Sequence, residues 1–153
     1  MKHTVWLIGL IVLAMVRAAR ADVTILNTST GLAIGVPGGS AAQGVQLVAW
    51  HRDGAANQRW RVVSTGSGWF KLVNVHSGLC MAVGSSNSEG TAVIQWHDDG
   101  HLSQQWRWGS GGLVNRSSGK MLGTSGGGST AQGAKLLLWP PTGNPDQAWH
   151  FVR

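Results

Sequence analysis

The stretch VIQWHDDGHLSQQW, residues 93 to 106, places two histidines, two aspartates, two tryptophans and three glutamines within fourteen positions. His97 and His101 stand four apart with Asp98 and Asp99 between them, offering donors to a metal or acid and base groups to a reaction. Zinc sites built on such a histidine pair need a helix to bring both rings to one face. Gly100 lies inside the stretch and favours a β turn, which separates them. A paired-carboxylate hydrolase needs two acids roughly 5 to 9.5 Å apart across a cleft, whereas Asp98 and Asp99 are neighbours on one turn. The stretch is explained better by what surrounds it.

The chain repeats itself three times. Asn27, Asn74 and Asn115 are each followed four residues later by Gly31, Gly78 and Gly119. Gly44, Gly90 and Gly133 each precede Trp50, Trp96 and Trp139 by six. Each of those tryptophans precedes Gln58, Gln104 or Gln147 by eight, and each glutamine lies two before Trp60, Trp106 or Trp149. Only the stretch between the two glycines varies, at thirteen, twelve and fourteen residues, which marks a loop that tolerates insertion. VIQWHDDGHLSQQW is therefore the third strand, loop and fourth strand of the second copy.

Each copy reads as four short strands separated by Gly, Ser, Asn and Asp turns; in the first they are Val23–Asn27, Leu32–Val36, Val45–Trp50 and Arg59–Val63. No sustained 3.6-residue apolar period appears after residue 21, so helix content is expected to be low. Twelve strands in three similar units imply a closed all-β architecture with pseudo-three-fold symmetry, in which closure hides the strand edges. Trp60, Trp106 and Trp149 read as inward strand positions, and the three glutamines as braces for turn backbone. Asn27 and Asn115 match glycosylation sequons, but Asn74 holds the same place without one, so a local backbone-bonding role is the better account.

Residues 1–21 read as a secretory signal peptide: Met1-Lys2-His3, an apolar run of thirteen residues from Thr4 to Val16, and the small-x-small pattern Ala19-Arg20-Ala21. The rival, a membrane anchor, needs roughly 20 apolar residues. Export is thus expected, with a secreted or periplasmic location and no stable membrane insertion after cleavage. Removing Lys2, Arg17 and Arg20 from the twelve basic residues leaves nine against six acidic ones, a net charge of +3. That balance gives no support to a nucleic-acid partner. Cys80 is the one cysteine, set in the apolar GLCMAVG, and reads as a buried small hydrophobe unless it pairs between chains.

Gln58-Arg59-Trp60, Gln104-Gln105-Trp106 and Gln147-Ala148-Trp149 resemble the Q-x-W repeats of ricin B-type (R-type) lectins, as do the flanking SGK-x-L and G-x-x-V-x-x-W patterns. The resemblance covers residues 22–153, with repeats at about 22–64, 65–109 and 110–153. It implies a β-trefoil, a six-strand barrel capped by three hairpins, with shallow sugar pockets in the lobes. It also implies an Asp on the second strand to accept from sugar hydroxyls, an aromatic platform, and an Asn before the Q-x-W glutamine. The aromatics are present as Trp50, Trp96 and Trp139, but the Asp positions hold Gly35, Ala82 and Gly123, and the Asn survives only as Asn57, with Ser103 and Asp146 elsewhere. The second-strand cysteine is Cys80, and the position of its family partner holds Asp98, so the family's disulfide is absent.

These readings lead to a secreted carbohydrate-binding module without catalysis, taking a glycan or polysaccharide through up to three weak sites. The expected contacts are Trp50, His51, Asp53 and Asn57 in the first lobe; Trp96, His97 and Asp98, with Asp99 and His101 beside them, in the second; and Trp139 and Asp146 in the third. The lobes rank in that order by their supply of polar side chains. No metal and no cofactor is called for. The alternative is a protein-binding trefoil, an adhesion or targeting subunit or an inhibitor of secreted proteases, that has lost sugar binding. One Glu and five Asp after residue 21, with no nucleophile motif, argue against an enzyme.

Overall fold

Short apolar runs interrupted every few residues by turn formers leave strands as the way to satisfy the backbone. The computed structural model describes residues 22–84, 86–126 and 130–153; the expected export segment lies outside them. The first unit comprises β1 (Asp22–Asn27), β2 (Ala33–Gly35), β3 (Val48–Trp50) and β4 (Arg59–Gly66). The second comprises β5 (Trp69–Asn74), β6 (Cys80–Val83), β7 (Val93–Trp96) and β8 (Trp106–Gly109). The third comprises β9 (Gly112–Asn115), β10 (Met121–Thr124), β11 (Leu136–Trp139) and β12 (Trp149–Val152). Among the described residues the helical content is confined to single 3-10 turns, one of them before the fourth strand of each unit.

β1 pairs with β12 and β4, β4 with β5, β5 with β8, and β8 with β9, all antiparallel. The Trp149 amide donates to Gly111 O at 3.3 Å, returning the end of the ring to its start. The remaining strands form three hairpins, β2–β3, β6–β7 and β10–β11. Single bridges Gln46↔Ile94, Ala92↔Leu137 and Val48↔Lys135 join these hairpins to one another in a circle. This is the β-trefoil, a six-strand barrel with a three-hairpin cap. β3 is shorter than the expected Val45–Trp50, because residues 45–47 turn to the neighbouring lobe: Leu47 N donates to Val93 O at 3.0 Å and Gln95 N to Val45 O at 3.1 Å.

The repeated landmarks turn out to be repeated hydrogen bonds. Trp60, Trp106 and Trp149 are buried, and their indole N–H groups donate to the second-strand carbonyls of Ile34, Met81 and Leu122 at 3.0, 3.0 and 3.1 Å. Gln58, Gln104 and Gln147 donate through Nε2 to the carbonyls of His51, His97 and Pro140 at 2.8, 2.6 and 2.9 Å. Their Oε1 atoms accept from the amides of Asp53, Asp99 and Thr142 at 3.0, 3.2 and 2.9 Å, so each glutamine spans its own loop. Asn27, Asn74 and Asn115 accept through Oδ1 from the amides two and three residues ahead. Their Nδ2 atoms donate to Ala148 O, Asn57 O and Ser103 O of another unit at 3.2, 2.9 and 3.0 Å. Each asparagine therefore both closes a turn and ties two units together.

Trp106→Phe keeps most of the apolar contact but strands the buried Met81 carbonyl and leaves a void. The expected loss is roughly 2–4 kcal/mol of unfolding free energy, measured by denaturant titration.

Candidate functional site

Trp50, Trp96 and Trp139 end the third strands at positions where alternation turns the side chain outward, and they remain 40%, 36% and 41% exposed. Each lies against a glycine of a different lobe. A Cβ on Gly133 would come 3.6 Å from the Trp50 ring, one on Gly44 3.6 Å from Trp96, and one on Gly90 3.9 Å from Trp139. These glycines adopt φ of +83°, +84° and +78°, a region that side chains disfavour. Their amides donate to Ala49 O, Gln95 O and Leu138 O at 2.7, 2.8 and 2.7 Å, the carbonyls just before each tryptophan. Every platform is thus positioned by two lobes.

Beside each tryptophan lies an open cleft. The first-lobe cleft, about 550 Å³, is walled by Gly35, Val36, the Pro37–Gly39 turn, Val48, Asp53, Asn57 and Gly133. The second, about 470 Å³, is walled by Ala82, Asn87, Ile94, Asp99, His101, Ser103 and Ser117. The third, about 250 Å³ among the described residues, is walled by Thr124, Ser125, Leu137, Thr142, Asn144 and Asp146. All three combine an indole face with a few polar groups on the opposite wall, a combination suited to a ring with one apolar face and a polar rim.

The expected contact residues divide accordingly. Trp50, Asp53, Asn57, Trp96, Trp139 and Asp146 line the clefts. His51 and His97 do not; their rings sit 5.5 and 5.4 Å from the neighbouring indoles, and His97 Nδ1 is 2.6 Å from Gln43 Oε1. Asp98 is also outside the cleft wall, held by Lys71 Nζ at 2.6 Å. In the second lobe the polar wall comes instead from Asp99 and His101, with His101 Nδ1 accepting from the Ser103 amide at 3.1 Å. Thr124, Thr142 and Asn144 were not singled out from the sequence. Their place in the third copy, Thr124 at the end of β10 and Thr142 and Asn144 in the loop after β11, was the available signal, but without the loop path it did not tell wall from rim.

The second strands of the first and third lobes run close beneath the residue before the glutamine. A Cβ on Gly35 would meet Asn57 Oδ1 at 2.9 Å and Gln58 Cγ at 3.0 Å, and one on Gly123 would meet Asp146 Oδ2 at 3.0 Å. The tips of the Asn57 and Asp146 side chains thus lie against these glycines. In the second lobe both partners are small, Ala82 with Ser103.

The model for ricin-type beta-trefoil lectin domain-like proteins matches residues 5–96 and 102–153. The chain belongs to this family. Among solved structures, the designed three-fold symmetric protein ThreeFoil is 35% identical, with a TM-score of 0.81 over 86% of this chain and 98% of that one. An exo-β-1,3-galactanase from Clostridium thermocellum is 29% identical with a TM-score of 0.81; 88% of this ricin-type chain is covered, but only 30% of the galactanase. The Macrolepiota procera ricin B-like lectin, solved with lactose, shares the fold at 20% identity, with a TM-score of 0.74 over 89% of this chain and 97% of the lectin. No curated protein matches the chain.

The ion pair at Asp98 bears on the lone cysteine. The hydrogen bond from Lys71 holds the Asp98 carboxyl below the usual carboxylate range. Cys80 is fully buried on β6, and burial, reinforced by the Asp98 charge, pushes its thiol from 9.0 up to about 11. The folded state therefore holds the thiol proton more tightly than the unfolded one. Its contribution to stability is complete below pH 9.0 and is lost as the pH rises through about 11. Native protein at pH 8 is expected to resist maleimide labelling at Cys80 and to label stoichiometrically in denaturant, a contrast that mass spectrometry reads directly.

Proposed function

We propose that this ricin-type trefoil is an exported, non-catalytic carbohydrate-binding module with up to three weak glycan sites, one per lobe. The observation that carries the reading is the threefold pairing of an exposed indole with a polar-walled cleft. Two fold relatives are described in complex with sugars, the Macrolepiota lectin with lactose and an earthworm R-type lectin with GalNAc. The galactanase relative acts on a β-1,3-linked galactose polymer, and this trefoil corresponds to 30% of its length. Galactose-containing glycans are accordingly the first ligands to test. A single shallow site is expected to bind at about millimolar strength, near −4 kcal/mol. Engagement of two or three sites by one polymer raises avidity by roughly 10² or more.

Absence of an acid at Gly35, Ala82 and Gly123 favours one second reading, a protein-binding trefoil that has given up sugar chemistry. The two readings separate in one experiment. Titration with lactose, N-acetylgalactosamine and a β-1,3-galactan is expected to quench tryptophan fluorescence, with the polymer binding far more tightly per molecule. Trp50→Ala, Trp96→Ala and Trp139→Ala each remove part of the polymer avidity, and the triple variant removes it all while staying folded. A folded protein that ignores a broad glycan panel, yet captures a protein partner that these sugars do not displace, would overturn the glycan reading.

A further inference from the structure

We infer that the residue before each lobe's loop-spanning glutamine decides which hydrogen-bonding partner that lobe accepts, and that Asp146 makes the third lobe a site for donor-bearing sugar edges, closed to anionic sugars. This rests on the reading of the clefts as glycan sites.

Asp146 is 5% exposed and lines the third cleft with Trp139, Thr142 and Asn144. Its Oδ2 accepts one long hydrogen bond, from Thr124 N at 3.4 Å. Its Oδ1 has no partner among the described residues. Two other buried polar side-chain atoms share that status, Asp22 Oδ1 and Arg61 Nε, but they belong to one ion pair at 3.7 Å. Among the described residues, Asp146 Oδ1 is the one such atom outside an ion pair. A buried carboxylate with half its acceptors empty is costly. What it lacks is a donor, and a sugar hydroxyl or a protonated sugar amine supplies one.

The first lobe shows the same frame with the opposite function. Asn57 Oδ1 accepts from Val36 N at 3.3 Å, and Val36 follows Gly35 just as Thr124 follows Gly123. The Asn57 amide nitrogen therefore corresponds to the empty oxygen of Asp146, and it offers a donor where Asp146 offers an acceptor. Ser103 occupies the corresponding place in the second lobe, with its hydroxyl 3.0 Å from His101 Nδ1. One fold position thus presents an amide, a hydroxyl and a carboxylate in the three lobes. A uronate carboxylate can accept from the Asn57 amide in the first lobe, whose cleft Asp53 also lines, and finds no donor at Asp146 in the third.

The test follows the tryptophan indole N–H signals of the full protein by NMR during titration with galactose, galactosamine and galacturonate. The Trp139 signal is expected to respond to galactose and galactosamine, with galacturonate at least roughly tenfold weaker. Asp146→Asn should abolish that discrimination and weaken galactose in the third lobe, while the thermal midpoint holds or rises because a buried charge has gone. A merely structural aspartate would lower the midpoint instead. Asn57→Asp should transfer the discrimination to Trp50, which keeps the proposal open to refutation if Asp146→Asn fails to fold. Galactosamine binding more tightly than galactose only while Asp146 is present assigns the donor to the amine; equal binding assigns it to hydroxyls. Equal responses of Trp139 to galactose and galacturonate, or a preference that survives both substitutions, overturn the inference. So does a silent Trp139 beside responsive Trp50 and Trp96. Silence of all three indoles toward every sugar overturns the glycan reading itself, and this inference with it.

Discussion

The hydrogen bond from a buried indole to a second-strand carbonyl sets the geometry on which everything else in each lobe depends. Trp60, Trp106 and Trp149 donate to Ile34, Met81 and Leu122, and the next residue along each second strand is Gly35, Ala82 or Gly123. Three positions before each indole comes Asn57, Ser103 or Asp146. Fixing the indole therefore fixes the register in which the polar side chain lies over the second strand. The bond is buried at both ends, so breaking it costs the desolvation of both groups without return. The glutamine one turn earlier adds two further bonds across the loop, and loop shape follows from them.

The cap adds a constraint of a different kind. Each exposed tryptophan lies on a glycine from another lobe, and each such glycine donates its amide to the carbonyl before that tryptophan. The relation runs from the third lobe to the first, from the first to the second and from the second to the third. No lobe can therefore complete its own platform. Together with the asparagine ties between units, this couples three shallow clefts to one barrel and makes their spacing rigid. Rigid spacing suits a repetitive ligand, because little ordering entropy remains to be lost when a second cleft engages.

Much of this was legible in the sequence, for a physical reason. Residues that hold the fold recur in register because the same hydrogen bond is needed three times, so Asn27, Gln58 and Trp60 announce themselves through their counterparts. The exposed indoles were legible for the same reason. What escaped was which loop side chains face the cleft. His97 and Asp98 have the right chemistry and the right neighbourhood, yet Gln43 and Lys71 hold them elsewhere. Both partners lie far away in sequence and have no counterpart bond in the other copies. The close approach of Asn57 to Gly35, and of Asp146 to Gly123, was hidden likewise. A repeat pattern records each position against its copies, not against its neighbour in space.

That distinction also explains how the lobes came to differ without endangering the fold. The bonds that define each lobe use indole, glutamine and asparagine side chains against backbone atoms, and backbone atoms do not change when a loop residue is replaced. The position before the glutamine takes part in none of those bonds through its side chain; Asn57 and Asp146 accept from the amides of Val36 and Thr124, and the Ser103 hydroxyl meets His101 Nδ1. It is therefore free to vary, and it is asparagine, serine and aspartate in the three lobes. The frame can then tolerate even a half-satisfied buried carboxylate at Asp146, because the surrounding bonds hold the loop closed whatever that carboxylate does. Symmetry is kept where backbone must be satisfied and lost at the one position whose side chain those bonds do not use.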